Sequence, residues 1–437
     1  MSGLADILIE MGYKVSGSDR EISETTNYLE SRGATIFEGH ESANISTADL
    51  VVFSSAVSKE NPELTQAKKK GITCIRRAEM LGQLMLEKEG IAVAGTHGKT
   101  TTTSMIGHML SFCGLDPTVV VGGKMQNSKT NAQLGKGKYF VTEADEYDRS
   151  FLTLFPTFTV LNNLEEDHLD IYKDLEDLKN TFFQFASQTK KNGKLIINRD
   201  SKNLMDVSKK YTADILSFAV NGNADIKADN IRFENGQTYF DVKTEKGHRT
   251  TIQLNLPGEH NIYNALAAVA VGTQLGLEFK QMQQALAAFQ GVHRRFEFKD
   301  SINGIDFYDD YAHHPTEVEQ ALKAAGSGWN KRLVVVFQPH LFSRTRDFYK
   351  DFAKALSMAD KIILTPVYPA REQPLPGITS DLIAKEMDEN CICLKSNSMI
   401  VSAILKTVKP GDLMITMGAG DIWKYGEKVI RELKSVN

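Results

Sequence analysis

A glycine-rich turn between an apolar strand and a helix carries the strongest chemical signal in this sequence of 437 residues, as AGTHGKTTTT at 94–103. Glycines let backbone N–H groups turn inward around phosphate oxygens, and the helix N-terminus adds partial positive charge there. Lys99 can reach the β- and γ-phosphates of a nucleotide, and the Thr100 hydroxyl can hold Mg²⁺. Val93 stands where the motif usually has its first glycine, so the loop has the shorter G-x-x-G-K-T form. We predict a nucleoside triphosphate site rather than a structural turn with an incidental lysine.

Acidic side chains follow the apolar strand at the start of the segment YFVTEADEYD (139–148). The strand leads into three carboxylates, Glu143, Asp145 and Glu146. Carboxylate oxygens at the end of a strand, in the same region as a phosphate loop, suit Mg²⁺. The alternative is a solvated acidic loop.

A second polar loop follows the strand FTVLNNL (158–164) and places a histidine among acids, in EEDHLDIY (165–172). His168 beside Glu166 and Asp167 is either a ligand of a second metal ion or an exposed loop residue, and its own surroundings do not decide between them. Three such loops at strand ends in one region favour a functional site.

Short apolar strands alternate with amphipathic helices along almost the whole chain, which predicts an α/β fold with mainly parallel sheets. The length exceeds one ordinary core, so we expect three domains, at residues 1–88, 89–293 and 294–437. The first and third are predicted to be Rossmann-like. The second is a P-loop ATPase domain with a small antiparallel insertion at 225–256.

The chain opens on a helix, MSGLADILIEMG, where a nucleotide-binding unit of this kind normally opens on a strand and a glycine-rich turn. Leu4, Ile7 and Met11 lie on one helical face. The next residues, 13–15, predict a strand that runs into Asp19. We therefore expect the first strand of this domain to be missing, through a start site placed too far downstream or a truncation.

Composition narrows the class of protein. The net charge of −4 and the sequence pI near 6.2 argue against nucleic acid or an anionic membrane as a partner. The four cysteines are too few and too poorly spaced for a disulfide framework, and Cys391 and Cys393 fit buried thiols in a strand. The sequence has no long apolar run and no signal-peptide pattern at its start, so we expect a cytoplasmic protein.

Taken together, the motifs resemble those of the bacterial Mur ligase family, which joins amino acids to the UDP-muramoyl precursor of peptidoglycan. The resemblance covers essentially the whole chain and rests on GTHGKTTT (95–102), EADE (143–146), the N-x-x-x-x-D-H segment (162–168), GEHNxxN (258–264), VHRRFE (292–297), DDYAHHPTE (309–317) and FQPHxxSRT (337–345). The last two are typical of the member that uses L-alanine. The member that reattaches recycled murein tripeptide resembles the chain less well around 337–345.

The resemblance implies ATP-dependent ligation of L-alanine to UDP-N-acetylmuramate. The muramoyl carboxylate takes the γ-phosphate of ATP to form an acyl phosphate, which the amine of L-alanine attacks. Implied cofactors are ATP and Mg²⁺, and the state of assembly is expected to be a monomer or homodimer. Loss of the first strand and its glycine turn is expected to weaken UDP-N-acetylmuramate binding and to slow turnover.

The resemblance also implies roles for individual residues. The nucleotide is expected to contact Gly95, Thr96, His97, Gly98, Lys99, Thr100 and Thr101, with Asn261 at the adenine and Arg295 and Asp310 as further contacts. The expected catalytic residues are Lys99, Glu143 and His168, and the metal ligands are Thr100, Glu143 and His168. L-Alanine is expected to contact Tyr311, His313, His340 and Arg344, and the UDP-sugar Asp19, Ser54 and Ser55.

One feature departs from the family. Several members carry a carbamylated lysine after the D-H motif, but that position falls near Phe182, and we do not assign the role to Lys179 one turn earlier. Two other classes of function compete with the ligase. A nucleotide-dependent switch is less consistent with the extra acidic and histidine loops, and a dehydrogenase lacks its glycine fingerprint. Phosphate release that requires both other substrates would separate a ligase from these alternatives.

Overall fold

Helices and strands alternate through the chain, as the sequence predicts. The computed structural model describes residues 1–127, 130–167, 171–245, 247–370, 372–387 and 390–435. These residues form two compact units. The first contains 1–229, 242–250 and 263–286, and the second contains 230–241, 251–262 and 287–437. The bounds predicted for three domains stay predictions.

The N-terminal part of the first unit contains four helices and four short strands. They are α1 (Ser2–Glu10), β1 (Ser16–Asp19), α2 (Glu24–Ser31), β2 (Thr35–Glu38), β3 (Leu50–Phe53), α3 (Pro62–Lys70), β4 (Thr73–Arg76) and α4 (Arg77–Leu86). β1 pairs with β2 and β3 with β4, each pair parallel, as two separate two-stranded sheets. The first strand begins at Ser16, just beyond the predicted residues 13–15. The expectation of a strand preceding α1 stays a prediction.

Sequence signals explain where these helices begin and end. Leu4 and Ile7 are buried on one face of α1, because apolar residues at i and i+3 share a face. Asn61 caps α3 through its side-chain oxygen, which accepts hydrogen bonds from the backbone N–H groups of the next turn. Pro62 occupies the first turn, where its missing N–H is not needed, and Gly71 ends the helix in the left-handed conformation.

The central region contains the largest sheet. Its elements are β5 (Glu89–Ala94), α5 (Lys99–Phe112), β6 (Thr118–Val120), β7 (Ala132–Gln133), β8 (Tyr139–Glu143), β9 (Phe158–Leu161), α6 (Leu175–Ser187), β10 (Lys194–Asn198), α7 (Lys202–Ser208), β11 (Ile215–Ala219), β12 (Ile226–Glu234), β13 (Gln237–Thr244), β14 (Arg249–Leu254), α8 (Glu259–Gln274) and α9 (Phe279–Ala288). The strand order is β14-β13-β12-β11-β10-β9-β5-β8-β6-β7. β5 lies between β8 and β9, parallel to both, and its residues 91–94 are fully buried. The carboxyl ends of β5, β8 and β9 therefore meet at one edge of the sheet, which is where the predicted phosphate and metal loops begin.

The C-terminal part of the second unit contains a six-stranded sheet. Its elements are β15 (Glu297–Ile302), β16 (Ile305–Asp310), α10 (Pro315–Gly328), β17 (Arg332–Phe337), α11 (Phe342–Leu356), β18 (Lys361–Leu364), α12 (Asp381–Ala384), β19 (Cys391–Cys393), α13 (Ile400–Thr407), β20 (Asp412–Met417) and α14 (Ile422–Ser435). The order is β15-β16-β20-β17-β18-β19, and all pairs except β15 with β16 are parallel. Parallel strands buried on both faces explain the continuous apolar runs at 332–337 and 412–417.

Candidate active site

The phosphate loop follows β5 and leads directly into α5. Gly95 has φ +147° and Gly98 has φ +81°, conformations that favour glycine. A Cβ atom on Gly98 would lie 2.6 Å from the Asn264 side-chain oxygen, so the close approach of α8 also requires glycine here. α5 begins at Lys99 with its backbone N–H groups turned toward the loop. The loop therefore has the backbone geometry that the sequence predicts for phosphate binding.

Lys99, at the end of this loop, forms an ion pair with Glu146, which follows β8. Its Nζ lies 2.9 and 2.8 Å from the two carboxylate oxygens of Glu146, and it donates to the Gly95 carbonyl at 2.6 Å. The exposed fraction is 15% for the Lys99 side chain and 2% for that of Glu146. Burial by itself lowers the pKa of Lys99, but the Glu146 and Asp145 carboxylates outweigh it and raise the pKa above its usual value. Lys99 is therefore a buried permanent cation at the mouth of the phosphate loop.

Glu143 and Thr100 lie together beside the loop. The Glu143 carboxylate accepts hydrogen bonds from the Gly122 N–H at 2.5 Å and from the Thr100 hydroxyl. Burial raises the pKa of Glu143, opposed by the Gly122 N–H and by the Lys99 charge. A carboxylate and a hydroxyl oxygen form a hard donor set, so these two residues fit a Mg²⁺ ion. His168, the third predicted ligand, lies outside the described residues.

The loop after β9 is hydrogen-bonded to the phosphate loop and stabilises it. The Asn163 side chain accepts from the His97 N–H at 2.8 Å and donates to the His97 carbonyl at 3.0 Å. The Thr96 hydroxyl donates to the Glu165 carbonyl and accepts from the Glu165 N–H. Thr101 is buried in the first turn of α5. These bonds fix the backbone of Thr96 and His97, both predicted nucleotide contacts.

Three further polar residues support the loop, and each lies in a motif of the sequence, although none of the three was assigned a contact with the nucleotide. Buried Thr102 accepts a hydrogen bond from the Asn162 side chain at 2.8 Å and donates one to Asn264 at 2.9 Å. Asn264 lies 162 positions after Thr102, on α8, so the sequence could have suggested it only through the GEHNxxN motif. The network therefore locks α5 to α8 and to the end of β9.

The predicted UDP-sugar residues lie at strand ends in the N-terminal part. Asp19 ends β1, and Ser54 and Ser55 follow β3. Within the described ranges, no hydrogen bond joins Asp19 to either serine. The structure instead gathers a polar group next to Asp19, in which the Ser18 hydroxyl lies 2.9 Å from His40 Nδ1 and donates to Glu63 at 2.8 Å.

A second cluster of predicted residues lies in the second unit, at the ends of β16 and β17. The Arg295 guanidinium lies 5.2 Å from the centre of the Tyr311 ring, and the Tyr311 and His313 rings are 5.3 Å apart. His313 in turn lies 5.9 Å from His340, ring to ring. Arg344 is close enough for its charge to lower the pKa of His313. All four residues predicted for the amino acid therefore belong to one cluster.

Two residues predicted to contact the nucleotide are buried in the same unit. The Asp310 carboxylate accepts hydrogen bonds from the backbone N–H groups of Phe296 at 2.7 Å and Ala312 at 2.6 Å. Burial raises the pKa of Asp310 to about 6, against the pull of the Arg295 charge. The Asn261 side chain donates to the Pro257 carbonyl at 2.8 Å, at the start of α8.

Sequence reasoning did not identify Tyr368 as part of this cluster. Its ring stacks on His340 at 5.8 Å and 12°, and a parallel backbone bridge joins the two residues. Leu341, between His340 and α11, has φ +71°, held by its N–H bond to the Tyr368 carbonyl. The signal was weak because Tyr368 lies in an irregular segment after β18 with no recognisable motif.

Comparison with known proteins gives three family matches in succession. They are "Mur ligase family, catalytic domain" at residues 1–89, "Mur ligase middle domain" at 93–272 and "Mur ligase, glutamate ligase domain" at 294–420. A UDP-N-acetylmuramate–L-alanine ligase of Geotalea daltonii is 44% identical over 99% of this chain and 96% of its own length. One of Clostridium novyi is 44% identical over 98% of this chain and 94% of its own length.

Solved structures give the same grouping. The UDP-N-acetylmuramate–alanine ligase of Thermotoga maritima matches with a TM-score of 0.86 and 29% identity, over 100% of this chain and 97% of that one. A murein peptide ligase of Psychrobacter arcticus matches with a TM-score of 0.73 and 28% identity, over 99% of this chain and 96% of that one. The predicted three-domain α/β fold is thereby confirmed.

Proposed function

The chain belongs to the Mur ligase family, and from that premise we propose that it joins L-alanine to UDP-N-acetylmuramate in peptidoglycan precursor synthesis. The observation that carries the proposal is similarity along nearly the whole chain to ligases named for that reaction, at 44% identity. Family membership makes the reaction ATP-dependent. The described residues near the phosphate loop and in the amino-acid cluster support the phosphate and amino-acid parts of that chemistry.

Amide formation needs an activated carboxyl group, because a carboxylate has no leaving group for an attacking amine. Transfer of the ATP γ-phosphate to the muramoyl carboxylate supplies one as an acyl phosphate. The main obstacle is repulsion between the anions, so catalysis depends on charge neutralisation and alignment. Lys99, buried and charged, performs this neutralisation in the first unit.

We assign Mg²⁺ to Thr100 and Glu143, whose oxygens lie together beside the phosphate loop. A bound Mg²⁺ adds positive charge at the phosphate oxygens and orients them. His168 is proposed as a ligand of a second ion, by resemblance alone. The nucleotide contacts proposed for the second unit are Asn261, Arg295 and Asp310.

The amino acid is assigned to the cluster of Tyr311, His313, His340 and Arg344. Arg344 is proposed to bind the substrate α-carboxylate, because a guanidinium offers two parallel donors to two oxygens. The UDP-sugar is assigned to Asp19, Ser54 and Ser55. No helix among the described residues is both long enough and apolar enough to cross a bilayer. We propose a cytoplasmic enzyme that is a monomer or a homodimer.

The proposal is tested by measuring phosphate release from ATP. With the chain, UDP-N-acetylmuramate and L-alanine present, we expect release that stops when either substrate is omitted. L-Serine, glycine and murein tripeptide in place of L-alanine define the amino-acid specificity. Phosphate release that needs neither substrate would indicate a nucleotide switch. Release with UDP-N-acetylmuramate and murein tripeptide, but with none of the free amino acids, would indicate a recycling ligase.

A further inference from the structure

Glu317 is placed where a helix-capping residue is expected. It is the third residue of α10, and its carboxylate accepts the backbone N–H of His314, the N-cap residue, at 3.3 Å. The same oxygen accepts the His313 N–H at 3.1 Å. In a capping box, the glutamate at this position accepts the N–H of the N-cap residue, as Glu317 does here.

The Glu317 carboxylate also contacts His313 of the amino-acid cluster and Arg295, a proposed nucleotide contact. Oε2 lies 3.2 Å from His313 Nδ1, and Oε1 lies 3.6 Å from Arg295 Nη1. The Glu317 side chain is 13% exposed, so these contacts are largely shielded from water. The backbone bonds place Oε2 beside His313, whereas the contact of Oε1 with Arg295 has no part in capping. Glu317 therefore connects the start of α10 to residues predicted to bind substrates.

The contacts of His313 define which ring nitrogen carries the proton. Nδ1 lies 3.0 Å from the Tyr311 carbonyl oxygen and 3.2 Å from Glu317 Oε2. A carbonyl and a carboxylate oxygen can accept but cannot donate, so Nδ1 must be the protonated nitrogen. Burial lowers the pKa of His313 to about 4, despite the Glu317 charge, so the ring is neutral near pH 7. In a neutral ring with Nδ1–H, Nε2 is a hydrogen-bond acceptor.

We propose that Glu317 is a positioning residue that holds the proton of His313 on Nδ1, so that Nε2 accepts a hydrogen bond from the amino group of the amino-acid substrate. This inference rests on the proposed function, since the substrate is an α-amino acid. An ammonium or amine group is a hydrogen-bond donor, and the opposite tautomer would set one donor against another. The arrangement parallels the use of a carboxylate to fix a histidine tautomer at other sites.

The first measurement is of the tautomer and needs no activity. NMR of the full chain labelled with ¹⁵N-histidine distinguishes the two ring nitrogens of each histidine, and H313Q identifies the signal of His313. We expect Nδ1–H in the unaltered chain and a smaller share of Nδ1–H in E317A, where only the Tyr311 carbonyl still accepts that proton. An unchanged share in E317A would show that Tyr311 alone fixes the tautomer and would overturn the proposal. A His313 protonated on Nε2 in the unaltered chain would overturn the proposal.

The second measurement separates positioning from capping. E317A is expected to raise the KM for L-alanine about tenfold, the worth of one hydrogen bond. The constant is measured at saturating ATP, because Glu317 also lies 3.6 Å from Arg295, a proposed nucleotide contact. E317Q keeps an acceptor oxygen and should recover part of the loss. The matched control is E319Q on the same helix, since Glu319 pairs with Lys323 and is 43% exposed. An unchanged alanine KM in E317A would leave Glu317 as a cap and overturn the proposal.

The two measurements also separate this inference from the proposed function. If the unaltered chain forms no product with any amino acid, the proposed function fails while the tautomer result stands. If the chain is active with L-alanine and E317A matches E319Q in both measurements, the proposed function stands and the inference fails.

Discussion

Burial has opposite consequences in the phosphate loop and in the amino-acid cluster. Lys99 is buried but its pKa is raised, because the Glu146 carboxylate lies within 2.9 Å of its Nζ. In the second unit burial prevails. It lowers the pKa of His313 to about 4 and raises that of Asp310 to about 6, so each shifts toward its neutral form.

The difference shows that the sum of the neighbouring charges, set against the cost of desolvation, decides whether a buried group stays ionised. Three carboxylates, those of Glu146, Asp145 and Glu143, together offset the desolvation of Lys99. The Glu317 charge favours the charged form of His313, and the charges of Arg344 and Arg295 oppose it. A charged lysine suits a site that neutralises phosphate. A neutral histidine suits a site that must accept a hydrogen bond from an amine.

The largest effect on turnover is expected in the phosphate loop, where Lys99 stays charged. K99A removes the positive charge that we propose faces phosphate, and we expect turnover to fall about a hundredfold or more, because such a charge is worth a few kcal/mol in the transition state. The measurement is phosphate release with all three substrates, together with circular dichroism. The control is K138A, whose exposed lysine pairs with Glu89.

K99A also leaves Glu146 buried without its counter-charge, which can destabilise the chain by about 3 kcal/mol or more. The double variant K99A/E146Q removes both charges and is expected to fold. Near-normal turnover in a folded K99A or K99A/E146Q would exclude the phosphate loop from the mechanism.

The next effect tests the amino-acid cluster. R344A is expected to raise the KM for L-alanine by about 10- to 100-fold and to change that for ATP little, since a charge-assisted bond is worth about 1.5–3 kcal/mol. R346A is the control, because Arg346 lies on the same helix and pairs with Asp347 at the surface. A change in the ATP constant without one for alanine would place the amino-acid pocket elsewhere.

A smaller effect, on the pH dependence of stability, tests whether burial keeps a histidine of the second unit neutral. Burial and the Arg295 charge lower the pKa of His260 to about 4, below the ordinary 6.5. The unfolded chain therefore binds the extra proton first, so the His260 contribution makes stability fall as pH drops from about 6.5 to about 4. Denaturant unfolding of the unaltered chain and of H260Q, measured across that range, gives this contribution as a difference on the order of 3 kcal/mol.

The comparison of the two chains is necessary because the titration of Asp310 changes stability in the opposite direction to that of His260. The pKa of Asp310 is raised to about 6, so the folded chain holds the proton first, and its contribution increases stability as pH falls from about 6 to 3.8. Asp310 is present in both chains and cancels. The same pH slope in H260Q as in the unaltered chain would show that His260 is not held neutral.

The smallest effect is expected at Lys179, which we do not assign to the metal site. Its Nζ pairs with Glu176 at 3.0 Å and Asp206 at 3.1 Å, near the surface. K179A should lower stability by less than about 1 kcal/mol and leave turnover at saturating Mg²⁺ unchanged. K209A, which removes another partner of Asp206, is the control. A folded K179A that lost activity a hundredfold would show that Lys179 supports the second metal.

Most of the phosphate site was predictable because its residues are close in sequence. Residues 95–101 form one turn between β5 and α5, and Glu143 follows the neighbouring strand β8. The neighbour order of β8 and β9 around β5 had to come from the structure. So did the pairing of Lys99 with Glu146, since the sequence offered the three carboxylates as candidates for a metal site and not as partners of Lys99.

The sequence by itself determined the α/β class, the phosphate loop and the motifs that resemble the Mur ligases, because these depend on short-range pattern and spacing. Tertiary structure decided which distant residues support them. Asn264 reaches Thr102 across 162 positions, and Tyr368 stacks on His340 from an irregular segment. It also decided ionisation, since the charge of Lys99 and the neutrality of His313 depend on burial and on neighbouring charges that fold into place from elsewhere in the chain.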